Sequence, residues 1–498
     1  MHKRLFSFAL PVLALAAALA PLVAAASEDV AMFGGTPSRN MISDETGLPG
    51  SWDLSTGKNV LWRQPLGTQS YGGPVVSGGK IFVGTNNEGR RNPKLDGDRG
   101  NVMAFDAMTG EFLWQSAHAK LSAGRVHDWP LQGVCSAPYV EGNRLYYVSN
   151  RAEVIAADTE GFRDGENDGP VTDEVNSSEI DEDVIWRLDM IDELTVFPHN
   201  LAVGSALAVG DLLFFVTGNG VDEGHVNITS VRAPSFIAVN KNTGEVAWES
   251  DLPGENILHG SWSNPAYAEI GGKPQVVFPG GDGWLYALGP EDGSLIWKFD
   301  ANPKESVWEL GGSGTRNNII STPVIYKDRV YIGVGQDPEH GEAPAHFWVI
   351  DATGSGDITA TGVVWSRSGS DFNRTMSTAA IADGIVYIAD LSGFLYALDA
   401  ETGEHLWTYD AFAAIWGSAF VADGKVYLGD EDGDVVVIKA GRGSDGEAEV
   451  LEEFNLGSSV YTTPLAKNGV LYIASRNKLF AFKEGAQEKT PPGEEPAP

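Results

Sequence analysis

The sequence predicts an all-β fold: an eight-bladed β-propeller of four-stranded antiparallel blades, closed by the N-terminal strand completing the last blade. Three observations predict it. A Trp-bearing strand recurs at Trp62, Trp114, Trp186, Trp248, Trp297, Trp365 and Trp407, with Phe454 in the eighth place. A strand introduced by a small residue and often Pro recurs in step with it, at Gly73-Pro74, Ala137-Pro138, Ser205-Ala206, Asn264-Pro265, Thr322-Pro323, Thr378-Ala379, Ser418-Ala419 and Thr463-Pro464. Finally, the strand around Trp62 precedes any inner strand while the last copy stops after its third, so each end supplies what the other lacks and no open edge remains.

The unit is clearest in residues 377–410, STAAIADGIVYIADLSGFLYALDAETGEHLWTYD. At period two it splits into four short apolar runs, separated by Asp383-Gly384, Ser392-Gly393 and Thr402-Gly403. One such meander has two apolar faces and buries them only when copies stack on both sides. The outer Trp residues are therefore expected to pack between blades.

Taken in order, residues 1–26 read as a signal peptide. His2, Lys3 and Arg4 precede an Ala-rich apolar run over 5–22, too short and Pro-broken for a span, and small residues close the cleavage region. The expectation is a periplasmic or secreted protein with no membrane span after cleavage, acting as a monomer. Residues 27–58 form an N-terminal extension, 59–482 the propeller, and 483–498 (KEGAQEKTPPGEEPAP) a disordered acidic, Pro-rich tail. A net charge of −34 repels phosphate backbones, which argues against nucleic acid. Cys135 is the single cysteine, so neither an intrachain disulfide nor a CxxCH haem site can form. GxSxG, HExxH and P-loop motifs are absent from the sequence.

The signature A-x-D-A-x-T-G-x-x-x-W, as ALDAETGEHLW (397–407) and AFDAMTGEFLW (104–114), resembles the quinoprotein-type propeller repeat. That repeat builds the pyrroloquinoline quinone (PQQ)-dependent alcohol dehydrogenases and a non-enzymatic propeller subunit of the outer-membrane barrel-assembly machinery. The opening AMFGGTPSRNMISDETGLPGSWD (31–53) resembles the start of exported bacterial PQQ-like repeat proteins.

Loop length points to a working face. Turns between strands one and two, and three and four, are short, whereas residues 86–100, 116–133, 189–203, 218–234, 302–320 and 336–345 are insertions belonging to the opposite face. Residues just ahead of each inner strand should converge on the axis. They are Arg125, His127, Asp128 and Trp129 with Gln132; His199 and Asn200; His259, Trp262 and Asn264; Arg316 and Asn317; Asn373, Arg374 and Met376; and Trp416 and Tyr461. Arg forks among amides and aromatic rings predict a ligand-binding funnel for a compact anionic or polyhydroxylated molecule, a glycan or a partner protein.

The resemblance implies an alternative, a PQQ- and Ca²⁺-dependent oxidoreductase of alcohols or sugars. Arg125, Arg316 and Arg374 would pair with the cofactor's carboxylates, Trp262 or Trp416 would stack, and Asp128 would serve as base. The family's vicinal disulfide is missing, and no linear stretch reproduces its Glu, Asn and Asp calcium ligands. The sequence thus favours a binding module with no catalytic set. Weaker ion candidates are Asp164-x-Glu166-x-Asp168-Gly169, which has Val175 where a calcium loop needs Glu, and the His–carboxylate loops 222–225 and 336–342.

Overall fold

The repeat signature encodes a joint between blades. In the first blade Asp106 Oδ1 accepts hydrogen bonds from the backbone N–H of Met108 (3.0 Å) and Thr109 (2.7 Å), shaping the third turn. Gly110 follows at φ +73°, and a Cβ there would lie 2.7 Å from the ring of Trp62, which belongs to the neighbouring blade. The Trp62 indole N–H in turn donates to Ala107 O at 3.0 Å. The same bond is made by Trp114 to Thr159 O, Trp186 to Lys241 O, Trp248 to Pro290 O, Trp365 to Ala400 O and Trp407 to Gly441 O, so Asp, Gly and Trp recur because each blade latches its successor. Trp297 differs, donating to Gln275 Oε1 of its own blade at 2.7 Å.

The computed structural model describes residues 29–310, 314–336 and 345–488. These form eight sheets, each a four-stranded antiparallel blade whose strands neighbour one another in chain order except in the last, as expected for a propeller; Ile42–Ser43 and Gly356–Asp357 add short parallel edge strands to two of them. Blade one, for example, is Val75–Ser77, Lys80–Asn86, Arg99–Asp106 and Phe112–Gln115; blade six is Ala380–Ala382, Ile385–Ala389, Phe394–Asp399 and His405–Asp410. Between blades lie separate apolar clusters, such as that of Val75, Phe82, Trp114, Leu145 and Tyr147, so the core is a ring of wedges. No helix of the described residues is long and apolar enough to cross a membrane.

Closure follows the expected clasp. Lys58–Pro65 completes the last blade antiparallel to Lys478–Gln487, pairing Trp62 with Ala481 and Lys58 with Gln487. That strand runs five residues past the expected boundary at Phe482, so residues 483–487 are ordered rather than part of a disordered tail. The N-terminal strand supplies their missing partner. Trp52 seals the joint, stacked between Phe454 and Phe482 with both centroids at 4.3 Å. The signal-peptide reading (1–26) and the end of the tail (489–498) fall outside the described residues.

The N-terminal extension threads the ring. Val30 O accepts from Val76 N of blade one, Ala31 O from Val140 N of blade two, Pro37 O from Tyr267 N of blade four, Ser38 O from Ile325 N of blade five and Met41 O from Val421 N of blade seven. Asn40 bonds Ile381 of blade six through both amide atoms. At the centre Arg39 is fully buried, and its guanidinium donates to Phe33 O (2.7 Å), Pro265 O (2.9 Å), Ala206 O (3.0 Å) and Ser205 O (3.4 Å). The segment therefore plugs the channel by satisfying inner-strand groups that would otherwise face a void.

Candidate functional site

The plug leaves a cavity of about 470 Å³ on the loop-rich side of the axis. Phe33 of the plug lines it, and Tyr71, Trp129, Trp262, Trp416 and Tyr461 stand around it from five crossovers. All six rings are half-buried, presenting faces rather than filling the core. Tyr71 and Tyr461 lie parallel at 5.2 Å, and Trp416 tilts onto Tyr461 at 5.4 Å. The Trp416 indole N–H is buried and meets no acceptor among the described residues.

Between the rings lie Gln132, Asn200, Asn264, Ser205, Thr322, Thr378, Ser418 and Thr463. Part of this polar set laces the inner strands. Ser205 N donates to Asn264 Oδ1 (2.7 Å), Asn264 Nδ2 to Thr322 Oγ1 (2.9 Å), Thr378 N to Ser418 Oγ (2.8 Å) and Ser418 N to Thr463 Oγ1 (3.2 Å). Among the described residues, no charged side chain lines the cavity.

Of the residues expected to converge, Trp129, Gln132, Asn200, Trp262, Asn264, Met376, Trp416 and Tyr461 reach the cavity. The three arginines do not. Arg125 is exposed, 4.4 Å over the Trp129 ring and 3.6 Å from Glu223. Arg316 grips both oxygens of Asp300, at 2.7 and 3.1 Å. Arg374 is half-buried and outside the lining. The expected basic funnel is corrected accordingly: nearby carboxylates and rings recruit Arg125 and Arg316 before they can reach the axis.

Asp128, the candidate base, is 2 % exposed, and its carboxylate accepts from Lys120 Nζ, Leu121 N (3.0 Å) and Asn150 Nδ2 (2.8 Å), which fixes the 116–133 loop. His127 holds Pro198 O through Nδ1 at 2.8 Å. Asn317 is buried, its backbone N–H and C=O both bonded to the Asn302 amide, and Asn373 binds the carboxylate of Asp390.

His199 and His259 meet His225 behind Trp262, with ring centroids 4.4–4.8 Å apart. The acidic insertion groups Asp158 with Asp164 and Asp168, leaving Glu166 out. Residues 337–344 of the other His–carboxylate loop lie outside the described residues. Sequence reasoning missed Tyr71 and Phe33. Tyr71 stands just ahead of the first inner strand, where the convergence argument applies equally; Phe33 belongs to no repeat.

The chain matches the repeat model PQQ_2, described as outer membrane protein assembly factor BamB, over residues 50–221, 217–338 and 282–485. It is 24% identical over 290 residues to outer membrane protein assembly factor BamB of Yersinia pestis, covering 58% of this chain and 63% of that protein. It is 24% identical over 330 residues to a polyvinylalcohol dehydrogenase of Pseudomonas sp, covering 59% of this chain and 48% of that one. The chain thus spans about half to two thirds of these relatives' lengths. Among solved structures it is similar in fold to BamB from Moraxella catarrhalis (TM-score 0.53, 15% identity, 85% of this chain and 99% of that one). A europium-containing methanol dehydrogenase is similar too (TM-score 0.57, 14% identity, 91% and 98%). Because the family match runs through every blade, the chain belongs to the PQQ_2 repeat family described as outer membrane protein assembly factor BamB.

Proposed function

We propose that this propeller is an exported, monomeric binding module whose axial cavity takes a neutral, polyhydroxylated ligand such as one or two sugar rings of a glycan. The observation that carries this reading is the lining: six half-buried aromatic rings stand beside amides and hydroxyls, and no charged side chain is among the described residues that line it. Aromatic faces match the apolar faces of a sugar ring, while amides and hydroxyls match its hydroxyl groups. The volume falls within the usual range for small-ligand sites, roughly 300–1,000 Å³. The name of the BamB relative, an assembly factor, supports binding rather than chemistry.

The dehydrogenase relatives support a second reading, PQQ- and Ca²⁺-dependent oxidation. The residues present do not fit that cofactor. A tricarboxylate held with calcium needs cations and carboxylates, and the described residues of the cavity lining supply neither. The candidate base Asp128 is already engaged by three donors.

Saturation-transfer NMR with a panel of neutral mono- and disaccharides tests the proposal, using Trp129→Ala and Trp416→Ala variants. Binding by the wild type that weakens roughly tenfold or more in each variant is expected from lost stacking. Absence of any binder, or binding untouched by both substitutions, would remove the cavity from the reading.

A further inference from the structure

Histidine is scarce in this chain, nine among 498 residues, yet three of them touch. His199 comes from the crossover into blade three, His225 from the loop between that blade's second and third strands, and His259 from the crossover into blade four. We propose that His199, His225 and His259 bind a first-row divalent transition-metal ion, with Zn²⁺ as the reference case. The inference does not depend on the ligand proposed for the axial cavity.

Geometry carries the argument. One ligand nitrogen from each ring lies within 4.8 Å of the other two. Some point therefore lies within about 2.8 Å of all three atoms, so reaching a Zn–N bond of about 2.0–2.1 Å needs a contraction of at most about 0.7 Å. His225 is the half-buried member, on a surface loop, and is the one placed to close that gap. Imidazole donors select zinc, copper or nickel over calcium and magnesium. Three protein ligands leave a fourth position for water or an incoming group.

The surroundings are those of a built site. His199 Nδ1 lies 2.8 Å from Val221 O, which directs Nε2 at the cluster in the way an outer hydrogen bond orients a metal-ligating imidazole. The loops are tied to each other by Val221 N to His259 O (3.1 Å), His199 N to Gly218 O (3.1 Å) and Gly220 N to Phe197 O (2.9 Å). A Cβ on Gly220 would sit 2.5 Å from His259 O and 2.6 Å from His199 Cβ, so only glycine lets the two buried histidines approach. The Asp222 carboxylate accepts from Val226 N (2.9 Å) and Asn227 Nδ2 (2.6 Å), shaping the turn that presents His225. Trp262 packs against His259 at 4.6 Å and His199 at 5.9 Å, and donates to His199 O at 3.0 Å. Because that indole also lines the cavity, an ion here sits directly behind one wall of it.

The test is calorimetric titration of Zn²⁺ into the untagged, EDTA-treated full chain, alongside thermal denaturation and visible spectra of the Co²⁺ form. Expected are one Zn²⁺ per chain, a rise in Tm of a few degrees under saturation, and a Co²⁺ spectrum of low coordination number. His225→Ala, in a half-buried loop position, should fold normally yet lose affinity by roughly a hundredfold, and His259→Gln should do likewise. Asp164→Asn, which alters the separate acidic cluster, should leave Zn²⁺ binding unchanged. Absence of saturable binding would overturn the proposal, as would His225→Ala and His259→Gln titrating like the wild type, or loss of the ion in Asp164→Asn.

Discussion

Arg39→Met tests whether the N-terminal segment is a structural plug. The substitution keeps an unbranched apolar stem and deletes the donors that hold four backbone carbonyls, three at the entries to blades three and four and one, Phe33 O, in the plug itself. Burial pulls the guanidinium down to about 9, so the group is still cationic at neutral pH and its bonds are charge-assisted. Each buried acceptor left unpaired costs about 1–3 kcal/mol. Release from burying the cation offsets part of the sum, leaving a net loss on the order of 3–5 kcal/mol. Across about 460 residues between 29 and 488, an unfolding entropy near 2.1 cal/mol/K per residue makes 1 kcal/mol worth roughly 1 °C. Scanning calorimetry should therefore show Tm lower by about 3–5 °C, given cooperative unfolding. The cavity should feel the change too, since Arg39 bonds the carbonyl of Phe33 and lies 6.0 Å from its ring. A Tm within 1 °C of wild type, with unaltered proteolysis of the N-terminus, would refute the plug as a cooperative part of the fold.

Two further predictions concern buried ionisable groups. Burial raises Glu182 to about 8, where it accepts from Tyr147 Oη at 2.5 Å, and lowers His118 to about 3. Folded Glu182 keeps its proton after the unfolded chain has lost it, so its contribution falls as pH rises towards 8; neutral His118 works oppositely, but only below its unfolded value of about 6.5. Between pH 6.5 and 8 stability should drop with a slope of at most about 1.4 kcal/mol per pH unit from Glu182, and Glu182→Gln should flatten it in urea titrations. A slope unchanged in the variant would contradict the assignment. Asp128→Asn should cost about 3–5 kcal/mol by breaking its buried bond with Lys120, read as a lower urea midpoint. Undiminished stability would show that the carboxylate is not a loop tie.

The scaffold was legible because its physics is local and repeated: period-two apolar runs, Gly-containing turns and a Trp that needs a neighbour. The clasp was legible from what the two ends lack. The end of the last strand was not, since Lys483–Gln487 has no apolar period and is ordered by pairing with 58–60. At the site, knowing which residues precede each inner strand placed Trp129, Asn200, Trp262, Asn264 and Trp416 near the axis. It could not give side-chain direction. Arg316 turns to Asp300, Asp128 turns to Lys120 and Asn150, and His199 and His259 meet His225. Those partners come from other strands and loops, so no spacing rule reveals them. Phe33 was illegible for a different reason: the plug touches nearly every blade but shares no repeat with any.

The most direct measurement is a pair of equilibrium titrations of the intact wild-type chain, one with neutral oligosaccharides and one with PQQ in the presence of Ca²⁺, followed by the fluorescence of the cavity tryptophans. Saturable binding of a neutral sugar with no response to PQQ is the predicted result. Saturable PQQ binding displaced by no sugar would contradict the neutral-ligand account.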